Sequence, residues 1–326
     1  MADAGEKLVL KPGVVTPFLS NFSMSNDGES FHFIECNMSG KNIEQLNKTI
    51  EEAKEVYILN LALNNIADPS AMKELSNLQH VDLRGNKVKN IGIFCQDEVM
   101  LNLKYLDLSS NKFGEFPAIK CPKLEYLDVS DNKLEKVNEG WTGHPSLKIL
   151  KARENKFKTF APFKNMPKLE ELYLGNNSIS SLSGYDGLPA LKKLHLRRNK
   201  IEKIEEEGVP ELPALEYLNL RSNKVKDSPS INFEHMVRLF GYFPTLKDLN
   251  VINCQVELGY SSMNILIAEV LEKNPKIARF CKVEITDAHR LEAVYLAKYK
   301  WTKAEEQRLE DEKAAAAKAA AEEGEG

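Results

Sequence analysis

The sequence has few cysteines and no long apolar stretch, and both absences bear on where the protein works. Its 326 residues include five scattered cysteines: Cys36, Cys95, Cys121, Cys254 and Cys281. Secreted proteins usually hold their cysteines in pairs, so an odd and scattered set favours a reducing compartment. The first residues lack the apolar core of a signal peptide, and no run approaches the ~18 apolar residues of a membrane span. We therefore expect a cytoplasmic protein that does not bind a membrane.

The motifs of common active sites are also missing. The chain contains no GxGxxG, GxxxxGK[ST], HExxH, GxSxG or CxxC. Its six histidines lack the spacing of metal ligands: His32, His80, His144, His195, His235 and His289. A net charge of −4 gives no reason to expect a nucleic acid or an anionic lipid surface as partner. The sequence therefore predicts a protein that is not an enzyme and has no cofactor or metal, so its function depends on the surface it displays.

One phrase, LxxLxLxxN followed by an apolar residue two places on, recurs along most of the chain. Its asparagines lie 21 to 25 residues apart: Asn64, Asn86, Asn111, Asn132, Asn155, Asn177, Asn199 and Asn223. A fixed period near 22 residues is typical of leucine-rich repeats. We count nine units, which begin near Val56, Leu78, Leu103, Leu124, Leu147, Leu169, Leu191, Leu215 and Leu246. The ninth has Cys254 in the asparagine place, and residues 31–50 resemble a degenerate leading unit.

Each part of the phrase has a physical role. The alternate apolar residues of LxL point to one side of a short strand. The asparagine amide can bond backbone groups that the following turn would leave buried and unpaired. One unit cannot bury its apolar side alone, so neighbouring units must stack over a continuous core. The predicted fold is an α/β leucine-rich repeat solenoid with a parallel concave sheet, a helical C-terminal cap and an extended C-terminal helix.

The pattern divides the chain into four segments. Residues 1–30 form a polar leader, and residues 31–256 form the repeat solenoid with an insertion at 226–245. Four apolar residues of the insertion have helical spacing and predict a short amphipathic helix on the convex side: Phe233, Met236, Val237 and Phe240. Residues 257–301 are predicted to cap the array. Residues 302–326 are predicted to form a charged, alanine-rich helical tail.

Two helices are predicted in the cap. Ser261 or Ser262 can begin the first, whose buried face would consist of Ile265, Leu266, Val270 and Leu271. Thr286 can begin the second, with a stripe that docks on the array: Ala288, Leu291, Val294 and Tyr295. The tail beyond has strong helix formers but no apolar face. It is either a solvated extension or a helix that lies on a neighbour in a larger assembly.

Residues between the core leucines are expected to point outward on the concave face of the sheet. There Asp82, Asp107 and Asp128 are predicted to form an acidic stripe, and the face becomes basic farther along the chain. Tyrosine and arginine dominate interface hot spots. We therefore expect partner proteins to bind nine residues of this face: Tyr105, Tyr126, Lys151, Arg153, Tyr173, His195, Arg197, Tyr217 and Arg221. The C-terminal helix is a second expected contact.

The repeat phrase, the missing disulfide caps and the closing KVEITDAHRLEA resemble the intracellular 22-residue subclass of leucine-rich repeat proteins. Over most of residues 50–313 the chain is most similar to the leucine-rich repeat proteins of ciliary radial spokes. That resemblance implies a structural subunit of the ciliary or flagellar axoneme, bound to other axonemal proteins and without chemistry of its own.

Three alternatives stay open on the same sequence. A phosphatase regulator would also use the concave face and should show large acidic and aromatic residues over many consecutive units. An assembly factor for ciliary dynein is hardly separable from a spoke subunit by sequence. A spliceosomal partner of an RNA-binding domain would need fewer units than the nine found here.

Overall fold

The computed structural model describes residues 8–24, 31–160, 162–184, 186–205, 207–209, 211–223, 231–254, 262–300 and 307–308. Within these residues most strands belong to one thirteen-stranded sheet, in the order β1-β2-β3-β4-β5-β7-β9-β10-β11-β12-β13-β14-β15. The two remaining strands, β6 and β8, pair with each other. In this part of the chain, none of the helices combines the length and the apolar character needed to cross a lipid bilayer.

Most strands are only two or three residues long, because each repeat contributes a single short LxL segment. In chain order they are β1 (Leu19–Met24), β2 (Phe31–Asn37), β3 (Ile58–Asn60), β4 (His80–Asp82), β5 (Tyr105–Asp107), β6 (Glu115–Phe116), β7 (Tyr126–Asp128), β8 (Lys136–Val137), β9 (Ile149–Lys151), β10 (Glu171–Tyr173), β11 (Lys193–His195), β12 (Tyr217–Asn219), β13 (Asp248–Asn250), β14 (Arg279–Phe280) and β15 (Val283–Glu284). The α-helices are α1 (Phe233–Tyr242), α2 (Met263–Lys273) and α3, which covers residues 287–300.

The nine predicted repeats each supply one strand, and these strands are parallel and in register. Their middle apolar residues lie side by side: Leu59, Val81, Leu106, Leu127, Leu150, Leu172, Leu194, Leu218 and Leu249. All nine are buried in one continuous core on the inner side of the sheet. β2 pairs in parallel with β3, so the degenerate leading unit also joins the array. The predicted solenoid fold is confirmed.

The repeat asparagines join adjacent units through their side chains. Asn177 is representative: its Nδ2 donates to the carbonyls of Ala152 and Leu174, at 2.9 and 3.0 Å. Its Oδ1 accepts from the backbone N–H of Phe157, at 3.1 Å. The amide therefore satisfies buried backbone groups of two repeats at once. Cys254 occupies the same place in the ninth repeat, and its Sγ lies 3.1 Å from the carbonyl oxygen of Leu220.

The N-terminal end contains a strand that the sequence analysis did not predict. β1 lies antiparallel to β2 at the edge of the sheet, with Leu19 opposite Cys36 and Met24 opposite Phe31. Leu10 of the same leader is buried in the core. The described part of the leader, residues 8–24, is therefore part of the first layer of the solenoid.

The predicted helices of the insertion and cap are present, with partly different buried faces. α1 buries Met236 and Phe240 as predicted, and Leu239 in addition. Ser262 begins α2, because its side chain accepts a hydrogen bond from the backbone N–H of Ile265 at 3.3 Å. The buried residues of α2 are Leu266, Ile267, Ala268, Val270 and Leu271, whereas the predicted Ile265 is only half-buried.

The prediction that an apolar stripe docks α3 on the array was wrong. Leu291, Val294 and Tyr295 are 58, 65 and 66% exposed. Arg290 holds the helix instead, because its guanidinium donates to the carbonyls of Pro275 and Ile277 at 2.7 and 3.0 Å. Lys300 adds an ion pair with Glu269 of α2. Helical spacing identified an apolar face, but these polar contacts determine which way that face points.

The predicted tail helix at 302–326 lies outside the described residues except for 307–308, which are helical.

The asparagine bonds predict that two asparagine-to-alanine substitutions lower the free energy of unfolding by different amounts. Asn177→Ala should lower the free energy of unfolding by ~1 to 3 kcal/mol, because it leaves the buried N–H of Phe157 and two carbonyls unpaired. Asn132→Ala should cost less, because the Oδ1 of Asn132 already lacks a hydrogen-bond partner. Urea denaturation of both variants measures the difference, and equal losses would contradict this account.

The exposed face of α3 predicts a difference in stability between two leucine-to-alanine variants, one at a buried and one at an exposed position. Leu266→Ala should cost ~2 to 5 kcal/mol of unfolding free energy, because Leu266 lies on the buried face of α2. Leu291→Ala should change it by less than ~0.5 kcal/mol, because its side chain is mostly in solvent. Thermal and urea denaturation of the two variants check this. A large loss in Leu291→Ala would show that the stripe is packed after all.

Candidate functional site

The outer face of the sheet presents three columns of side chains, one on each side of the buried middle leucines and one just past the strand ends. The strand register aligns the first two columns, as Glu171 with Lys193 and Tyr173 with His195 illustrate. Backbone hydrogen bonds beyond the strands align the third. There the N–H of Glu154 donates to the carbonyl of Gly175, and that of Asn176 to the carbonyl of Arg197. Side chains in one column are neighbours at the ~4.8 Å spacing of strands.

In most repeats the second column is a structural element. Six of its residues accept a hydrogen bond on the side-chain oxygen from the backbone N–H two residues on: Asn60, Asp82, Asp107, Asp128, Asn219 and Asn250. These short bonds close the turn that ends each strand. We call the second column, to which these six residues belong, the turn-closing column.

The predicted acidic stripe belongs to this column and needs correction. Asp82, Asp107 and Asp128 do lie on adjacent strands, but they are only 8, 4 and 9% exposed. Burial raises the pKa of Asp107 above its usual value. The carboxylates are used to close turns, so they offer little charged surface to a partner.

The turn-closing column is interrupted at three consecutive strands. Lys151, Tyr173 and His195 occupy its places on β9, β10 and β11. None of these side chains can copy the short oxygen acceptor of aspartate or asparagine. Three adjacent repeats therefore lack the aspartate or asparagine that closes the turn in the other six. Such departures from a structural pattern are expected at functional sites.

The three side chains at the interruption belong to a continuous line of side chains across the outer face of the sheet. His80 stacks on Tyr105 with ring centroids 3.8 Å apart, and Tyr105 stacks on Tyr126 at 4.2 Å. Farther along, Tyr173 stacks on His195 at 4.3 Å, and His195 lies 4.7 Å from Tyr217. Lys151 joins the two halves. We call these seven residues the aromatic line: His80, Tyr105, Tyr126, Lys151, Tyr173, His195 and Tyr217.

Lys151 is positioned by the rings on both sides of it. Its Nζ donates to the Oη of Tyr126 at 2.8 Å and lies 4.8 Å from that ring centroid. The same ammonium is 5.8 Å from the ring of Tyr173. The Oη of Tyr173 donates to Glu171 at 2.5 Å, and Lys193 pairs with that carboxylate at 2.8 Å. These contacts hold the aromatic line rigid before any partner arrives, which reduces the entropy cost of binding.

The third column adds three arginines beside the aromatic line. Arg153, Arg197 and Arg221, which we call the arginine row, form no ion pair within the described residues. Arg153 lies over the ring of Tyr173, with its guanidinium carbon 4.4 Å from the centroid. By contrast, Arg84 in the same column lies 3.4 Å from Asp82. The charge on the arginine row is therefore available to a partner.

The electrostatics of the surface keep its rings neutral. Burial, together with the positive charge of Arg153 and its neighbours, lowers the pKa of His195 to about 4. Burial and the bond to Glu171 raise the pKa of Tyr173 to about 12, and burial raises that of Tyr126 also. At neutral pH the line therefore offers uncharged aromatic edges between cationic groups.

The nine residues predicted to bind a partner all lie on this face. Tyr105 and Tyr126 form one stack, and Lys151, Arg153, Tyr173, His195 and Tyr217 form a contiguous cluster beside Arg197 and Arg221. Sequence reasoning missed two contributors, His80 and Gly175. The interruption of the aspartate and asparagine column was visible in the sequence and could have located the centre of the cluster.

The arrangement is suited to binding. Among the described residues, histidine, cysteine, aspartate and glutamate do not gather in groups that could hold a metal ion. Burial raises the pKa of the Cys36 and Cys121 thiols to about 12, so these cysteines remain protonated in the core. Half-buried aromatic rings with adjacent guanidinium groups are the composition of protein interfaces.

Comparison with known families agrees with the fold. Residues 122–179, 159–201 and 189–241 match the family model described as leucine rich repeat. Residues 101–140 match a model of two leucine-rich repeat copies, and residues 74–95 match a further leucine-rich repeat model. The chain therefore belongs to the leucine-rich repeat proteins. Members of this class are generally non-catalytic, and the fold of this chain is that of a leucine-rich repeat scaffold for protein–protein interaction.

Individual relatives match only parts of the chain. Protein PAC2 of Saccharomyces cerevisiae is 26% identical over 42% of this chain and 27% of its own length. A homolog of protein phosphatase 1 regulatory inhibitor subunit PPP1R7 from Arabidopsis thaliana is 29% identical over 44% of this chain and 45% of its own. The solved TLR13–ssRNA13 complex superposes with a TM-score of 0.53 and 28% identity, over 63% of this chain and 29% of that one. The chain spans less than half the length of each.

The lowered pKa of His195 predicts a pH dependence of stability. An unfolded histidine binds a proton near its ordinary pKa of 6.5, whereas the folded His195 does so only near 4. The unfolded state therefore binds more protons between these values, and folding stability contributed by His195 falls as pH drops from 6.5 to 4. Urea denaturation should show a smaller fall for His195→Gln than for the wild type. Parallel curves for the two proteins would contradict the prediction.

Proposed function

We propose that partner proteins dock on the centre of the concave sheet, over the interrupted part of the turn-closing column. The interruption at Lys151, Tyr173 and His195 is the observation that carries this proposal. Three adjacent repeats give up a bond that six others make, and the replacing side chains assemble into the aromatic line. The fold gains no turn closure from them, so their benefit lies in binding. The nine surface residues expected from the sequence form this docking surface.

The finer function we propose is that of a structural subunit of the ciliary or flagellar axoneme, at the radial spokes. The likeness of residues 50–313 to radial-spoke repeat proteins supports it. A rigid, pre-formed surface also suits a permanent assembly, because little ordering entropy is lost on docking. The C-terminal helical tail is proposed as a second contact, and two modest contacts on one chain raise avidity through effective concentration.

Regulation of a phosphatase is the second candidate. The Arabidopsis thaliana relative is named as a phosphatase 1 regulatory subunit homolog, and it matches 44% of this chain. The aromatic line over seven consecutive strands also fits the expectation for such a regulator. The acidic part of that expectation is weaker, because Asp82, Asp107 and Asp128 are used within the fold. An assembly factor for ciliary dynein would share the docking surface but stay outside the finished axoneme.

Fractionation of a tagged protein from ciliated cells tests these functions. We expect the wild type to remain with detergent-extracted axonemes. The double reversal Arg197→Glu and Arg221→Glu should move it to the detergent-soluble fraction, because both side chains lie on the docking surface and away from the core. The matched control is Arg198→Glu with Lys200→Glu, which makes the same charge change on exposed residues outside the three columns and should stay bound.

The outcomes separate the candidates. A wild type found in the soluble fraction with a phosphatase catalytic subunit would replace the axonemal function with phosphatase regulation. A soluble wild type with dynein subunits would indicate an assembly factor. If the double reversal stays on axonemes and only removal of residues 302–326 releases the protein, the concave face is not the docking surface. Circular dichroism of each variant confirms that the fold is intact.

A further inference from the structure

Among the described residues, none forms an ion pair with the arginine row, so the charge of the row is not neutralised within this part of the chain. Arg153, Arg197 and Arg221 lie in one column on β9, β11 and β12, just past the strand ends. Two carboxylates of the same face pair with other cations: Glu171 pairs with Lys193, and a carboxylate oxygen of Asp248 lies 3.4 Å from the guanidinium of Arg279. Unpaired guanidiniums that are held side by side repel one another, so the row favours an anionic partner.

A gap in the column shapes this surface. Gly175 lies between Arg153 and Arg197, and a Cβ on it would lie 3.1 Å from the Cγ of Arg197 and 3.5 Å from its Nε. The side chain of Arg197 therefore lies over Gly175 and extends towards Arg153. Any larger residue at position 175 would displace it. The glycine thus brings two guanidiniums from non-adjacent strands towards each other.

The length of the arginine row indicates how long a partner segment must be to cover it. Three strand spacings separate Arg153 from Arg221, which is ~14 Å at the usual spacing. An extended peptide rises ~3.3 Å per residue, so about five residues cover the distance. Carboxylates match the fork of donors on arginine, and the rings of Tyr173, His195 and Tyr217 beside the row can pack against the aliphatic parts of the same segment.

From this geometry we infer that the docking surface binds a short acidic segment of a partner protein, with two or more aspartate or glutamate side chains on the arginine row. The inference rests on the proposed docking function and specifies the chemistry of its partner. A nucleic acid fits less well. The row is short, and the chain carries a net charge of −4.

A binding assay with defined probes tests the inference. The full chain is titrated into a fluorescein-labelled hexaglutamate peptide, and in parallel into hexalysine and a six-nucleotide single-stranded RNA with the same label. We expect saturable binding of hexaglutamate, weakened by added salt because the row is partly exposed. Arg197→Gln with Arg221→Gln should weaken that binding at least about tenfold. The matched control Arg198→Gln with Lys200→Gln should not.

Gly175→Leu provides a second test that leaves the charge unchanged. It should weaken hexaglutamate binding by displacing Arg197, while circular dichroism and the melting temperature report whether the fold persists. If Gly175→Leu does not fold, Gly175→Ala is the smaller change to use. Binding of hexaglutamate that is indifferent to the row variants would overturn the inference, as would tighter binding of the RNA or of hexalysine.

The two proposals can fail separately. If the charge reversal at positions 197 and 221 releases the protein from axonemes but hexaglutamate never binds, docking stands and the acidic segment is refuted. If hexaglutamate binds through the row but the reversed protein stays on axonemes, the row is an acidic-peptide site and axonemal docking occurs elsewhere.

Discussion

The structure depends on one recurrent interaction, the buried asparagine side chain that bonds the backbone of two neighbouring repeats. A strand of three residues makes too few ladder bonds to fix its own turn, and the turn exposes carbonyls to the core. Asn177 illustrates the solution, with one amide bonded to Ala152, Leu174 and Phe157. Without such bonds, stacking of the leucines would bury unpaired polar groups whose cost is comparable to the gain from the core.

A second series of bonds runs along the opposite face and makes the surface interpretable. Asn60, Asp107 and Asn250 belong to the column that closes the strand-end turns from outside. Because the fold assigns a role to each of these places, a different residue there stands out against a defined expectation. On an ordinary globular surface a lysine, a tyrosine and a histidine would have no such reference. The repeats that keep the turn-closing residue therefore serve as the reference against which a binding surface can be recognised.

The sequence predicted what is periodic and failed where orientation depends on single contacts. The strands, their register and the asparagine bonds follow from the leucines and asparagines of the 22-residue phrase, so they could be predicted from the sequence. The direction of α3 could not, because the contacts of Arg290 with two carbonyls decide it and have no periodic signature. The role of Asp107 was misjudged because aspartate serves equally as a surface charge and as a turn acceptor. β1 was missed because its sequence, LSNFSM, alternates too weakly to indicate a strand.

The candidate surface shows how a rigid fold can carry a specific electrostatic pattern at little cost to its stability. Its rings are half-buried against one another, which fixes their positions and keeps His195 uncharged at neutral pH. Among the described residues of this area, the positive charge without a carboxylate partner is that of Lys151 and of the arginine row, where water still solvates the guanidiniums. Had His195 been protonated, it would add a desolvated cation beside Arg153 and weaken the stack. The neutral ring separates the cationic groups and lets them share one small area, ready for an anionic partner.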